Sequence, residues 1–156
     1  MFPVSSDNVP LTEHEKFSSP GLIVTPEGKK VLDFGQNIAG YVQFTLRAAA
    51  GRKLKLRFGE LLDDRGEFTQ KNIQCANKKR TRVTPLQQIL YTCREGVNEY
   101  KTKFAIFGFR YVLVEGDADW KAEDFTAIAV YSDMEQTLSF SCSHPLIAQF
   151  VKNTLW

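Results

Sequence analysis

The chain has 156 residues, of which 43% are hydrophobic and 24% charged, and its formal net charge is +2. These values are typical of one soluble globular domain with a hydrophobic core and, at most, a short appendage. The small net charge gives no electrostatic reason to expect nucleic acid or an anionic membrane as a partner. No apolar run approaches the roughly 20 residues of a membrane helix. We therefore predict neither a nucleic-acid partner nor a membrane partner.

The pattern along the chain predicts an all-β fold. Residues 1–19 are polar, contain Ser and Pro, and show no sustained periodicity, which predicts a tail or linker. Short alternating or β-branched segments then follow, separated by turn signals. The predicted strands cover residues 21–25, 30–34, 40–47, 53–58, 88–93, 99–104, 109–115 and 126–131. Their spacing indicates an antiparallel sandwich of two sheets.

One stretch, Asp33-Phe-Gly-Gln-Asn-Ile-Ala-Gly40, separates two of these strands. Gly and Asn tolerate positive φ, so the stretch predicts a β-turn-β unit with Asn37 in the left-handed region. Gly40 would then open the strand that begins at Tyr41. We expect Asn37 and Gly40 to be structural.

Arg110 stands between Phe109 and Tyr111 in a predicted strand. Successive side chains in a strand point to opposite faces, so Arg110 should lie on the face opposite both aromatic rings. We predict that its guanidinium has a carboxylate, carbonyl or ring of the same chain as its partner.

The C-terminal segment follows a different period. Leu146, Ile147, Phe150, Val151 and Leu155 recur at spacings of three and four residues, which predicts an amphipathic helix over residues 143–156. An apolar stripe on a short helix must pack on something to be stable. We expect docking or self-association of two copies through this helix, with Trp156 at least partly covered.

The residues of metal and cofactor sites are sparse. Three widely spaced cysteines, Cys75, Cys93 and Cys142, favour reduced thiols and a cytoplasmic protein over a disulfide framework. His14 and His144 are far from any cysteine pair, so no zinc site is predicted. The sequence shows no cofactor motif.

Acidic residues cluster in two predicted turns. They are Glu60, Asp63 and Asp64 in the first and Asp117, Asp119, Glu123 and Asp124 in the second. Acids in turns are usually solvated or accept bonds from nearby backbone groups. Calcium binding is the alternative for oxygen-rich turns, but neither turn shows the spaced acidic loop of a calcium site. We assign no catalytic residue.

Four blocks in this order resemble the bacterial α-L-rhamnosidases of glycoside hydrolase family 78. They are Asp33 to Gly40, Phe58-Gly-Glu-Leu-Leu-Asp63 with Gly66-Glu67, Gly108-Phe-Arg-Tyr111, and Ser141-Cys-Ser-His-Pro-Leu146 ending in Trp156. The resemblance implies a concanavalin-like, jelly-roll sandwich over 20–141, with 142–156 as the first helix of an (α/α)6 catalytic domain. That barrel would hold the acid and base of an inverting hydrolysis. Ile106 and Phe107 depart from the family, which usually has Tyr-His there.

The resemblance implies a non-catalytic sandwich fragment that supports the adjacent barrel of an enzyme hydrolysing terminal α-L-rhamnose from glycosides. The alternative is a carbohydrate-binding module that recognises rhamnose-containing glycans. Its candidate sugar contacts are the aromatic residues Trp120, Tyr41 and Phe107, with Gln36 and Asn37 as hydrogen-bonding partners. A loop aromatic packed on the domain edge is the other interpretation of Trp120.

Overall fold

A computed structural model describes residues 8–73 and 87–155. Its strands are β1 (Leu11–Ser18), β2 (Gly21–Val24), β3 (Lys30–Ala48), β4 (Lys53–Gly59), β5 (Gln88–Thr92), β6 (Gly96–Lys101), β7 (Phe107–Gly116) and β8 (Phe125–Ser132). Short 3-10 turns cover Lys71–Ile73 and Ala122–Asp124, and the helix α1 covers Pro145–Leu155. Leu11–Tyr131 form one compact unit, and α1 belongs to a second.

The strands form one curled antiparallel sheet in which β3 is the shared element. The first part of β3 pairs with β2 and β7, and β7 continues to β4 and β5. The later part of β3 pairs with β6 and β8, and β8 continues to β1. Two layers therefore share one long strand, and the predicted antiparallel β-sandwich class is confirmed.

The core lies between these layers and is rich in phenylalanine. Phe44, Phe58, Phe109 and Phe125 are almost fully buried. Strand β4 shows how the sequence produces this core: its apolar side chains are buried, and the basic side chains between them are not. Each fully buried Leu or Phe side chain contributes about 1.5–3 kcal/mol through removal of apolar surface from water.

The prediction of a tail over residues 1–19 is wrong for Leu11–Ser18, which form β1 beside β8. Charged residues fill this strand, so it has little of the apolar alternation that predicts one. Polar and aromatic contacts hold it instead. The His14 ring stacks on Tyr131 with centroids 3.6 Å apart, and the Tyr131 hydroxyl donates to Glu15 at 2.9 Å.

The predicted β-turn-β unit is also corrected, because β3 runs through residues 30–48 without reversing. Its register with β7 shifts between Asp33 and Ile38, so the extra residues form a bulge. Gly35 has φ of +79°, and its N–H donates to Asp33 Oδ1 at 2.7 Å. Asn37 is not in the left-handed region, since Ser19 is the one non-glycine residue with positive φ among those described.

Helix α1 confirms the predicted amphipathic helix, with Pro145 in its first turn. Its large apolar side chains are exposed: Leu146, Ile147, Phe150 and Leu155. Trp156, for which a partner was predicted, lies outside the described residues. Within the described ranges, no helix has the length and apolarity needed to cross a membrane.

Candidate functional site

Three of the four sequence blocks meet at the bulge of β3. Beyond the bulge, Ile38, Ala39 and Gly40 pair with Phe109, Gly108 and Phe107 of β7. On the other side of β7, Tyr111 pairs with Gly59 of β4. Residues that are far apart in sequence therefore form one region, which we call the block junction: Asp33 to Gly40, Gly59 and Glu60, and Gly108 to Tyr111.

An ion pair fixes the centre of the block junction. Arg110 donates from Nε to Asp33 Oδ1 at 2.8 Å and from Nη2 to Oδ2 at 2.9 Å. The bond from Arg110 and the backbone bond from Gly35 lower the pKa of the Asp33 carboxyl, against the effect of burial. The guanidinium carbon also lies 5.0 Å from the centre of the Tyr111 ring. The predicted intramolecular partner of Arg110 is confirmed, and Asp33 stays a carboxylate committed to that partner.

Glu60 forms the second polar contact of the block junction. Its Oε2 accepts a bond from Asn72 Nδ2 at 2.7 Å. Its Oε1 lies close to Gly108, where a Cβ would come within 3.2 Å of it. The Gly108 N–H donates to Gln87 Oε1 at 3.0 Å. Gly108 therefore gives the carboxylate room to lie against β7.

The rest of the second block is a loop anchored by buried polar side chains. Glu67 is buried, and its Oε1 accepts a bond from the Glu27 N–H at 2.7 Å. Its second oxygen lies 3.7 Å from Lys29 Nζ. Gln70 is also buried, and its amide donates to the carbonyls of Phe58 and Gln87. These contacts attach the loop to the β2–β3 turn and to β4.

Several turn acids do what the sequence predicts, because they accept bonds from nearby or facing backbone groups. Asp63 Oδ1 accepts from the N–H groups of Arg65 and Glu67. Asp117 Oδ1 accepts from the Lys53 N–H at 2.6 Å. These bonds are the leading cause of the lowered pKa at both carboxyls. In the described part of the chain, no group of three His, Cys, Asp or Glu side chains is arranged to hold a metal ion.

The candidate sugar contacts do not form one platform. Trp120 is half-buried against the main core, edge-on to Phe125, with Lys30 Nζ 5.5 Å from its ring centre. Tyr41 is buried in a separate apolar cluster with Ile128 and Val130. These contacts place Trp120 at an edge of the core.

The remaining candidates have other surroundings. Gln36 and Asn37 are exposed in the bulge of the block junction, where the Gln36 amide donates to the Asn37 carbonyl at 3.2 Å. Phe107 is half-buried and stacks on Phe58 with centroids 4.2 Å apart. Tyr41 donates from its hydroxyl to Glu13, which also binds Lys101.

Two parts of this arrangement could not be predicted from the sequence. The first part is the pair of contacts that Glu60 makes with Asn72 and Gly108. The sequence blocks that contain Glu60 and Gly108 are recognisable, but their contact depends on strand register. Glu13 falls in the segment predicted to be a tail. The bonds from Lys101 and Tyr41 lower the pKa of the Glu13 carboxyl. Residues 12–16 are all polar or charged, so they lack the apolar alternation that would have predicted a strand here.

Comparisons with known proteins converge on one kind of domain. A family model described as the bacterial alpha-L-rhamnosidase concanavalin-like domain matches residues 23–131. The structure of an α-L-rhamnosidase from Aspergillus terreus is 32% identical with a TM-score of 0.76, covering 94% of this chain and 16% of that one. One from Dictyoglumus thermophilum is 27% identical with a TM-score of 0.81, covering 97% and 16%.

A curated α-L-rhamnosidase of Formosa agariphila is 26% identical over an alignment 158 residues long, and the alignment covers 98% of this chain and 16% of the relative. The chain thus spans about a sixth of the length of the relatives and structures that it resembles.

Proposed function

Because the chain belongs to the family of bacterial α-L-rhamnosidase concanavalin-like domains, we propose that it is a non-catalytic sandwich domain of an α-L-rhamnosidase. Such an enzyme hydrolyses terminal α-L-rhamnose from glycosides. The observation that carries the proposal is the family match over residues 23–131, which falls inside the compact unit Leu11–Tyr131. The short share of each relative that the chain covers supports a role within a longer polypeptide.

The chemistry of the block junction supports a structural role. Inverting hydrolysis needs an acid and a base about 6.5–9.5 Å apart with a water between them. Asp33 is bound through both oxygens to Arg110, and Glu60 is bound to Asn72. Carboxylates held in this way orient strands and loops, and the proposal places the acid and base in another domain.

The partner in this proposal is the catalytic (α/α)6 domain of the same polypeptide, with α1 as its first helix. The exposed apolar side chains of α1 support this assignment, since burial against further helices would stabilise them by about 25 cal/mol per Å². Self-association of two copies through α1 is the competing expectation. A cytoplasmic location stays a prediction based on the cysteine pattern.

Hydrolysis assays test the catalytic part of the proposal. The 156-residue chain, incubated with an aryl α-L-rhamnoside, should release no phenol above the buffer rate. Turnover that co-purifies with the chain and falls in Glu60→Gln or Asp63→Asn would contradict it.

A chimera tests the supporting role. The matching segment of the Dictyoglumus thermophilum enzyme is replaced by this chain, and Phe150→Ser is compared with Leu90→Ser, since both side chains are well exposed in the chain. Phe150→Ser should lower the Tm of the chimera but not of the isolated chain, whereas Leu90→Ser should change neither. Equal Tm values for the two chimeric variants would argue against packing of α1 on the barrel. Loss of concentration-dependent dimers of the isolated chain on Phe150→Ser would instead favour self-association.

A further inference from the structure

A groove runs along the seam between β3 and β6, away from the block junction. It has a volume of about 860 Å³ and is lined by residues 43–45 and 99–105. Gln43 pairs with Lys101, Phe44 with Tyr100, and Thr45 with Glu99. Because side chains alternate along strands, Gln43, Thr45 and their partners share one face. Phe44 and Tyr100 stack on the opposite, core side with centroids 5.4 Å apart.

Four polar side chains of the groove are available to a ligand. Within the described residues, the side chains of Gln43, Thr45, Glu99 and Lys103 take part in no hydrogen bond or ion pair, although all four line the groove. The groove therefore offers an amide, a hydroxyl, a carboxylate and an ammonium group to a ligand.

One wall of the groove is an exposed aromatic ring. The Phe104 side chain is 99% exposed, and Ile106 two residues later is 48% exposed. An apolar ring beside a polar floor matches a ligand that has both apolar C–H faces and hydroxyl groups. A sugar has both kinds of surface.

The charges of the groove indicate a neutral ligand. Glu99 and Lys103 carry opposite charges, and Lys101 is already paired with Glu13. The face thus has no excess of positive charge to attract a phosphate or an acidic polysaccharide.

We propose that the groove lined by Gln43, Thr45, Glu99, Lys103 and Phe104 binds a neutral oligosaccharide. The ring of Phe104 would pack on one sugar face, and the polar floor would bind the hydroxyls of the same or the next unit. The site is separate from the candidate contacts at Trp120, Gln36 and Asn37, and it does not depend on the supporting role proposed above.

Titration of the 15N-labelled chain tests the site, with an α-linked L-rhamnose trisaccharide, maltotriose and the acidic trigalacturonate as probes. At least one neutral probe should cause saturable shifts in the amides of residues 43–45 and 99–105. Phe104→Ala should weaken that affinity by about tenfold or more, which corresponds to 1.4 kcal/mol. Thr45→Val should weaken it without loss of spectral dispersion, and Leu90→Ala, at an exposed position outside the groove, should leave it unchanged.

The proposal fails if neither neutral probe produces saturable shifts, or if Phe104→Ala and Thr45→Val bind as the unchanged chain does. It also fails if trigalacturonate binds more tightly than both neutral probes. Shifts at the groove that depend on protein concentration and not on sugar would identify a second copy as the occupant and overturn the proposal.

Discussion

Gly40→Ala should destabilise the sandwich more than an alanine at a glycine where an added Cβ would make no close contact. Gly40 lies in the central strand, paired with Phe107 on one side and Ala129 on the other. Its φ is not positive, so the expected strain is not one of backbone conformation. A Cβ at this position would lie 2.0 Å from the Ile128 carbonyl oxygen and 3.2 Å from the Ala129 Cα. The obstacle is backbone, which cannot rotate away as a flexible side chain can.

The size of the effect follows from what must move. Overpacking in a well-packed region costs about 1–3 kcal/mol. Separation of β3 from β8 at this point would also weaken one or two ladder hydrogen bonds, each worth about 0.5–1.5 kcal/mol. Alanine recovers about 0.4–1 kcal/mol by restricting the unfolded chain. The expected loss in the free energy of unfolding is about 2–4 kcal/mol.

Urea denaturation followed by far-UV circular dichroism measures this loss. The matched control is Gly21→Ala, because a Cβ there would meet Asp33 only at ordinary contact distance, 3.8 Å or more. The control should stay within about 0.5 kcal/mol of the unchanged chain. If Gly40→Ala unfolds at the same urea concentration as Gly21→Ala, the close approach of β3 and β8 does not constrain position 40.

Two further predictions concern polar contacts. Asp33→Asn should cost about 1–2 kcal/mol at pH 7. Since the folded pKa of Asp33 is below the unfolded value of about 3.9, this contribution is full above that pH and is lost as the pH falls through the lower folded pKa. The difference in the free energy of unfolding between Asp33→Asn and the unchanged chain, measured by urea denaturation, should shrink as the pH falls from 7 to 2. Arg110→Gln should show the same trend, and a difference that stays constant with pH would refute the pairing of Asp33 with Arg110. Asn98, fully buried, makes four hydrogen bonds in the β5–β6 hairpin, so Asn98→Ala should cost about 2–4 kcal/mol. Asn72→Ala, at an exposed residue, should cost under about 1 kcal/mol. If Asn98→Ala and Asn72→Ala unfold at the same urea concentration, the four hydrogen bonds of Asn98 do not stabilise the hairpin as proposed.

The sequence predicts a strand wherever burial of one face produces an alternation of apolar and polar residues. Strand β4 alternates apolar and basic residues because one face meets the core, so both its existence and its orientation could be predicted. Strand β1 could not, because its attachment depends on Glu13 and Glu15 reaching tyrosines from other strands. The local sequence of β1 does not indicate which residues of other strands will be its partners.

The candidate site divides in the same way. A partner for Arg110 was predictable from its position in a strand, but Asp33 as that partner depends on the register of β3 against β7. The bulge and a turn give the same local pattern, because glycine and asparagine are common in both. Trp120 and Tyr41 are both aromatic, and only the fold shows that they belong to different apolar clusters.

The sharing of β3 between the two layers has a consequence for how the domain forms. Neither layer has an independent set of strands, because removal of residues 30–48 would leave β2, β6 and β8 without a partner that joins them to the rest. The two halves of the sandwich should therefore unfold and fold together, as one cooperative unit. Its central strand must find partners both early and late in the chain, a demand that slows folding through the entropy of closing long loops. A fragment that ends before β8 would have a central strand with one edge left open to other chains.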